Sequence, residues 1–191
     1  MKVKVGVSAR HVHLTNEDVK ILFGKDYCLT KKANLSQPGQ YACNEQVIIK
    51  GEKGSIQRVR ILGPQRSKTQ VEISKTDCFL LGINPPVRNS GDLDGAEKIT
   101  IIGPKGQITK NAAIIAARHI HVSKQDAINY GLLNKKNVTL IVKGEKPGIL
   151  ENVYVRIDEN FKLEVHLDTD DANAFLIKNG DEAKIIIDKE W

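Results

Sequence analysis

Apolar and polar residues alternate with a period of two in short stretches along nearly the whole chain, and the first stretch begins by Val3. Such stretches, rich in β-branched residues and bounded by glycine, proline or asparagine, predict half-buried strands. They lie at 46–50, 57–62, 69–74, 98–102, 138–142, 152–157, 163–167 and 183–187.

One segment of the chain occurs twice. VSARHVHL at 7–14 returns as AARHIHV at 116–122, so that His11 and His13 correspond to His119 and His121 at a constant offset of 108. Two copies are too few for a solenoid, and they indicate two related halves.

A helix start follows each copy. Thr15 and Asp18 correspond to Ser123 and Asp126 at the same offset. A hydroxyl that caps the first turn and an acid within that turn favour a helix N-terminus. We therefore predict short helices over 16–23 and 124–130.

The length of 191 residues suits two small domains or one compact double unit. Many short strands and few helices predict a mainly β protein with short capping helices, built as two related small β-barrels. The chain has no low-complexity stretch or linker between its halves. We therefore expect the barrels to pack together.

The charge distribution excludes few functions. The net charge of +6 is scattered along the chain, which favours a solvated surface over a nucleic-acid site and is compatible with a phosphate-rich ligand. No apolar run approaches 18 residues, so no membrane span is expected. Cys28, Cys43 and Cys78 lack ligand spacing and are interpreted as structural thiols of a reducing compartment.

Four of the five histidines lie in the two His-x-His segments. Residues i and i+2 of a strand project from one face, about 6.5–7 Å apart, so both imidazoles can reach one metal ion. Val12 and Ile120 then point to the opposite, apolar face. A single such pair is weak evidence for a metal site, but its duplication strengthens the prediction considerably.

The same alternation provides two further ligand candidates. His166 shares a polar face with Glu164, and Glu72 shares one with Gln70 and Ser74. A glutamate in a strand is more often only a solvated residue. Because a catalytic zinc ion takes about three protein ligands, however, the six candidates would hold two ions. The partition of ligands between the ions stays open.

Arginines near two loops are candidates for anion binding, since a guanidinium pairs with phosphate in a bidentate manner. Arg66 follows Gly63-Pro-Gln, and Arg88 lies in the proline-rich loop 84–92. Pairing with a nearby carboxylate is an equal alternative. The chain has neither a Walker glycine loop nor a Rossmann fingerprint.

Ordered blocks over nearly the whole chain resemble the phosphate propanoyltransferases, the PduL-type phosphotransacylases of propanediol utilisation. The blocks are SARHVHL (8–14), QPGQ (37–40), LGPQRSKTQVEISKTD (62–77), LGINPPVRNSG (81–91), ARHIHV (117–122) and VHLDTDDAN (165–173). The resemblance implies an enzyme that interconverts short-chain acyl-CoA plus phosphate and acyl phosphate plus CoA.

The resemblance also implies paired β-barrels, an N-terminal strand that joins the C-terminal barrel, and two Zn²⁺ per chain. The domains would be 10–116 and 1–9 together with 117–191. The family's metal-ligand positions fall on His11, His13, Glu72, His119, His121 and His166. Its catalytic, phosphate-binding arginine falls on Arg66.

Less specific positions follow from the same resemblance. Ser90 and Arg156 match further phosphate-site residues, and the positions that contact CoA are Ser8, Arg60, Leu62 and Asn173. A homodimer is implied. Because the first strand begins by Val3, with no targeting extension ahead of it, the sequence favours the cytoplasm over a microcompartment lumen.

Two alternatives remain at this point. A cupin-like mononuclear metal oxygenase also uses a His-x-His strand with a glutamate and a later histidine, but its glutamate lies a few residues after the pair, whereas Glu72 lies 59 positions beyond His13. A non-enzymatic, zinc-stabilised binding module would have closed coordination shells. Metal content distinguishes the first alternative, and acyl-CoA turnover the second.

Overall fold

The structure, a computed structural model, describes residues 1–187 and is mainly β, with 45% strand and 14% helix. In chain order its elements are β1 (Lys2–Ser8), β2 (His11–His13), α1 (Asn16–Phe23), β3 (Lys31–Asn34), β4 (Tyr41–Lys50), β5 (Ser55–Gly63), β6 (Gln70–Glu72), α2 (Lys75–Leu81), β7 (Val87–Arg88), β8 (Glu97–Ile102), β9 (Gln107–Ala116), β10 (His119–Val122), α3 (Lys124–Asn129), β11 (Asn137–Val142), β12 (Gly148–Ile157), β13 (Glu164–Asp168), α4 (Thr169–Ala174) and β14 (Glu182–Ile186).

The chain divides into two compact units. One consists of Ala9–Leu35 and Gly39–Ala116, and the other of Met1–Ser8, Ser36–Pro38 and the chain from Ala117 onward. The domain limits given by the sequence, 10–116 and 1–9 with 117–191, stay a prediction.

Each unit contains a closed ring of six strands. Barrel A, in the unit that begins at Ala9, runs β4-β5-β2-β6-β9-β8 and back to β4, with β3 and β7 added at its edges. Barrel B runs β1-β13-β10-β12-β11-β14 and back to β1. The two small barrels predicted from the sequence are confirmed, and so is the entry of the N-terminal strand into the C-terminal barrel.

The two rings have the same pattern of strand directions. The first histidine strand, β2, is parallel to β5 and antiparallel to β6, while its counterpart β10 is parallel to β12 and antiparallel to β13. Continuing around each ring, β9, β8 and β4 correspond to β1, β14 and β11. The barrels are therefore related strand by strand.

This correspondence shows a second offset within the repeat. Glu72 corresponds to His166, Gln70 to Glu164 and Asp77 to Asp171, each at an offset of 94. The offset falls from 108 to 94 between the α1/α3 pair and the β4/β11 pair, so the first half carries 14 additional residues there. These residues include β3 and the segment Ser36–Pro38.

A polar side chain caps the N-terminus of all four helices in the described chain. Thr15, Ser74, Ser123 and Asp168 each accept a hydrogen bond from the backbone N–H three residues ahead. The capping steps predicted at Thr15 and Ser123 are confirmed. This accounts for how each helix begins directly after a strand.

Two expectations about element limits are corrected. The strand expected over 69–74 is limited to β6, because Ser74 caps α2, and the helix expected over 124–130 ends at Asn129. Neither α2 nor α4 was expected from the periodicity. Each has fewer than eight residues, too few for an apolar face to repeat.

Each barrel has its own apolar core. Val12, at the centre of β2, lies in the core of barrel A, and Ile120, at the centre of β10, lies in that of barrel B; both are fully buried. The histidines on either side of them must then project from the other face of the strand. None of the helices among residues 1–187 has the length and apolarity to cross a membrane.

Candidate metal centres

Three ligand candidates come together in barrel A, and we call them group A. His11 and His13 project from β2, and Glu72 lies opposite His11 in the antiparallel register of β6. Nε2 of His11 is 3.5 Å from Glu72 Oε2, and Nε2 of His13 is 4.0 Å from Glu72 Oε1. One ligand atom from each residue lies within 4.8 Å of the others, so the group could hold one metal ion.

Barrel B contains the corresponding group B, which consists of His119, His121 and His166. His119 lies opposite His166 in the register of β10 and β13. The ring centroid of His166 is 5.1 Å from that of His119 and 4.6 Å from that of His121. These ligand atoms also lie within 4.8 Å of one another.

Backbone carbonyls orient the first histidine of each group. Nδ1 of His11 is 2.9 Å from the carbonyl oxygen of Ala9, and Nδ1 of His119 is 2.9 Å from that of Ala117. A carbonyl only accepts, so Nδ1 carries the proton and Nε2 keeps its lone pair. Metal-bound histidines are oriented in this way, and both groups therefore fit a metal ion.

The electrostatics of group A favour the metal-binding forms of His13 and Glu72. For His11, burial lowers the pKa, but attraction to Glu72 and hydrogen bonds to Glu72 and Ala9 outweigh it and raise the pKa. Burial lowers the pKa of His13 well below its usual value, and the charges of His11 and Arg66 lower it further. Burial alone would raise the pKa of Glu72. Attraction to His11 and hydrogen bonds from His11 and Ser90 outweigh this effect of burial. The pKa of Glu72 therefore falls well below its usual value. A neutral imidazole and an ionised carboxylate are the coordinating species.

Arg66 is connected to group A through Ser90. Its Nη1 donates a hydrogen bond to Ser90 Oγ over 3.0 Å, and Ser90 Oγ donates to Glu72 Oε1 over 2.7 Å. The loop that carries Arg66 is fixed where the backbone N–H of Arg66 donates to the carbonyl oxygen of Leu14. A half-buried guanidinium is thus held beside the metal-ligand candidates.

Arg156, the remaining phosphate-site candidate, lies in barrel B. It is the register partner of His121 in β12. Its guanidinium carbon lies 5.9 Å from the centre of the Phe161 ring, and that ring stacks on His121 at a centroid distance of 4.1 Å. A cation is therefore present near group B as well.

The four CoA candidates are divided between the units. Ser8 ends β1 and Asn173 lies exposed on α4, both in the unit of barrel B. Arg60 and Leu62 lie on β5 of barrel A. The guanidinium of Arg60 donates to the carbonyl oxygens of Cys43 and Asn44 over 2.9 and 2.8 Å, so it also stabilises the β4 strand.

Each barrel has an arginine–aspartate pair beside its first histidine, which the alternation of residues does not indicate. Arg10 precedes His11 and pairs with Asp77 in α2 at 2.6 Å, and Arg118 precedes His119 and pairs with Asp171 in α4 at 3.0 Å. Each pair ties the first histidine's strand to the helix that follows the third ligand. The offset of 94 between Asp77 and Asp171 is the signal that could have identified them.

The cysteines lie outside both groups. Cys28 is exposed, whereas Cys43 and Cys78 are buried, and burial raises the pKa of the Cys43 thiol to about 11. Because the thiolate is the reactive form, we expect one fast thiol per native chain and three after denaturation, measured with a chromogenic disulfide reagent. Removal of the fast reaction by Cys28→Ser is the control, and any fast thiol that remains in that variant would contradict the prediction.

The chain is similar to known proteins along most of its length. A family model described as phosphate propanoyltransferase matches residues 4–178. A phosphate propanoyltransferase of Thermotoga maritima is 53% identical over 184 residues, which cover 95% of this chain and 88% of that protein. Proteins of the same name from Priestia megaterium (54%; 94% and 83% covered) and Clostridioides difficile (46%; 96% and 88% covered) are similar over comparable lengths.

Proposed function

This chain belongs to the phosphate propanoyltransferase family, and on that premise we propose that it interconverts short-chain acyl-CoA plus phosphate and acyl phosphate plus CoA. The proposal rests chiefly on one observation. A three-ligand group that could hold a metal ion lies next to an arginine, Arg66, that hydrogen-bonds Ser90, which in turn hydrogen-bonds the ligand Glu72.

The proposed cofactors are two Zn²⁺ per chain, one in group A and one in group B. Imidazoles with at most one carboxylate suit zinc, and three protein ligands leave a position open for substrate, as in catalytic zinc sites. The bound ions would supply Lewis-acid stabilisation of the anionic groups in the reaction. The residues that would hold them are His11, His13, Glu72, His119, His121 and His166.

The proposed role of Arg66 is to bind and orient phosphate. A guanidinium presents paired donors that match phosphate oxygens, and Ser90 fixes one of its nitrogens, Nη1. Orientation of this kind reduces the entropy lost when phosphate attacks a thioester carbonyl. We propose that Ser90 assists through its hydroxyl and that Arg156 contributes a further positive charge.

We assign the contacts with acyl-CoA to four positions, Ser8, Arg60, Leu62 and Asn173. Asn173 is exposed and presents an amide, which suits the polar part of a nucleotide. Both hydrogen bonds of Arg60, to the carbonyl oxygens of Cys43 and Asn44, are donated by Nη1, so Nε and Nη2 can still donate to a phosphate of CoA. The homodimer and the cytoplasmic location stay predictions.

A thiol-release assay tests the reaction and the substrate together. Acetyl-, propionyl- and butyryl-CoA are each incubated with the zinc-loaded protein, with and without phosphate, and free CoA is measured. We expect release that depends on phosphate, with acyl phosphate formed in equal amount. Release at the same rate without phosphate would indicate a hydrolase, and no release with any acyl chain would contradict the proposed function.

The two alternatives are less well supported. A cupin-like oxygenase needs one metal site, whereas the structure has two three-residue groups in two barrels. The family match also does not favour it. Metal analysis separates it from the transferase, because one iron or manganese ion per chain is expected for the oxygenase. A zinc-stabilised binding module would retain its metal but release no CoA.

A further inference from the structure

The loop that carries Arg66 is tied to the chain just beyond the histidine strand β2. We call it the arginine loop (residues 64–69), and it connects β5 to β6. The backbone N–H of Arg66 donates to the carbonyl oxygen of Leu14 over 2.9 Å. The backbone N–H of Thr15 donates to Thr69 Oγ1 over 3.1 Å. Leu14 and Thr15 directly follow β2, so the arginine loop is held to the ligand strand at two adjacent residues.

Asp18 of α1 extends this attachment. The hydroxyl of Thr69 donates to Oδ2 of Asp18, and Nζ of Lys110 on β9 donates to Oδ1 and Oδ2 over 2.8 and 2.7 Å. Asp18 and Thr69 are buried, and a buried carboxylate without partners would be costly. The Thr69 hydroxyl joins the loop to two residues at once, since it donates to Asp18 and accepts from the N–H of Thr15.

Barrel B has a loop of the same length whose residues cannot make this attachment. Residues 158–163 connect β12 to β13 and correspond to the arginine loop at the offset of 94. Asn160 there takes the place of Arg66, and Leu163 takes the place of Thr69. A leucine side chain neither donates nor accepts a hydrogen bond. The hydroxyl thus occurs in the barrel whose loop carries the arginine.

The acid and the lysine of the network have counterparts in barrel B, and these have other partners. Asp126 corresponds to Asp18 at the offset of 108, and its Oδ2 accepts a hydrogen bond from the serine that caps α3. Lys2 corresponds to Lys110 at the same offset, and it pairs with a glutamate of β14. The threonine is therefore what links the shared acid to the loop in barrel A.

The attachment in barrel A also falls on the arginine itself. In barrel B the carbonyl oxygen of Val122 accepts from the backbone N–H of Asp158, the first residue of the loop, over 3.3 Å. The corresponding carbonyl in barrel A is that of Leu14, but the first loop residue is Pro64, which has no N–H. Arg66 donates to this carbonyl instead. The backbone of the arginine is thus fixed directly.

We infer that Thr69 and Asp18 are positioning residues, which act on the reaction by holding the backbone of Arg66 at a fixed place relative to the ligand strand. Ser90 holds the guanidinium at the other end of the same side chain. A phosphate bound by this arginine then meets group A in one geometry, and small displacements of a reacting group are costly. The inference rests on the phosphate-binding role proposed for Arg66 and goes beyond it, because it assigns a function to two residues outside the proposed site.

Removal of the hydroxyl tests this role. Thr69→Val keeps the shape of the side chain but leaves the N–H of Thr15 and the carboxylate of Asp18 without this partner. Displacement of the loop should raise KM for phosphate about 10-fold, with a smaller effect on KM for acyl-CoA. Thr69→Ser retains the hydroxyl and should keep KM for phosphate close to that of the unchanged protein. Steady-state kinetics and zinc content are measured on the same samples, and the zinc content should stay the same.

A double-mutant cycle separates positioning from a general structural role. In an Arg66→Ala background, Thr69→Val should cause no further loss of kcat/KM for phosphate, because the residue through which Thr69 acts is gone. A residue that only stabilises the fold would cause the same loss in both backgrounds. Equal losses in the two backgrounds, or no loss in either, would overturn the inference.

The repeat provides a matched pair of variants for the acid. Asp18→Asn places an amide donor where the carboxylate accepts from Lys110 and Thr69, so it should raise KM for phosphate as Thr69→Val does. Asp126→Asn makes the same change at the corresponding position of barrel B and should leave the phosphate kinetics unchanged. Equal effects of the two substitutions would contradict a role tied to the arginine loop. Asp18→Asn also carries the test if Thr69→Val does not fold.

Hydrogen exchange tests the attachment without reference to activity. In Thr69→Val the backbone amide of Arg66 should exchange about 10-fold faster than in the unchanged protein, because the loop has lost one of its ties. The amide of Asp158, bonded to the corresponding carbonyl in barrel B, is the internal reference and should not change. An unchanged exchange rate at Arg66 would overturn the inference. Absence of phosphate-dependent CoA release by the unchanged protein would instead contradict the proposed function, so the two failures are distinguishable.

Discussion

Removal of bound metal with a chelator is expected to abolish phosphate-dependent release of CoA, and two molar equivalents of Zn²⁺ are expected to restore it. The reason is that the six candidate ligands are organised around two separate groups, each with three donor atoms within 4.8 Å. Without cations, the anionic substrates and the developing oxyanion would lose the positive charge that stabilises them and would face the ionised Glu72 carboxylate. Activity and metal content are measured on the same samples.

A matched pair of variants sharpens this prediction. His166→Ala should lower the zinc content from two ions to one, because group A lies in the other barrel and keeps its three ligands. His13→Ala should likewise leave one ion, at group B. Both variants should lose the transferase reaction. A metal-free preparation with undiminished activity would contradict the metal-dependent mechanism.

Arg66→Ala is expected to weaken the use of phosphate far more than the use of acyl-CoA. Hydrogen bonds to charged groups contribute about 1.5–3 kcal/mol, so kcat/KM for phosphate should fall by about 10- to 100-fold. Arg66→Lys should recover part of this loss, because an ammonium retains the charge but not the bidentate geometry. Steady-state kinetics with each substrate varied in turn provide the measurement.

Lys68→Ala is the control for Arg66, since Lys68 is an exposed cation in the same loop. Its kinetics with phosphate should match those of the unchanged protein. If Arg66→Ala left kcat/KM for phosphate intact, or lowered only that for acyl-CoA, the assignment of Arg66 to phosphate would be wrong.

Much of the fold could be predicted because its signals are local. Alternation of apolar and polar residues located most of the strands, and the hydroxyl–acid steps at Thr15 and Ser123 located two helices. The duplication of His11 and His13 at an offset of 108 indicated two related halves. Strand parity also indicated that Glu72 and His166 share a face with other polar residues.

The remainder depends on pairing between distant strands. The placement of Glu72 with His11, and of His166 with His119, is set by register across residues that are far apart in sequence. The alternation along one strand carries no information about which strand lies beside it. For the same reason the contact between Thr69 and Asp18 could not be predicted.

The correspondence of β1 with β9 has a consequence for how such a protein can arise. Each is the leading strand of its repeat, yet β1 completes the ring formed by the later repeat and β9 completes that of the earlier one. A gene encoding one repeat alone would specify a ring with a gap. Two identical copies could close each other by reciprocal exchange of their leading strands, and fusion of two such genes would make that exchange permanent within one polypeptide.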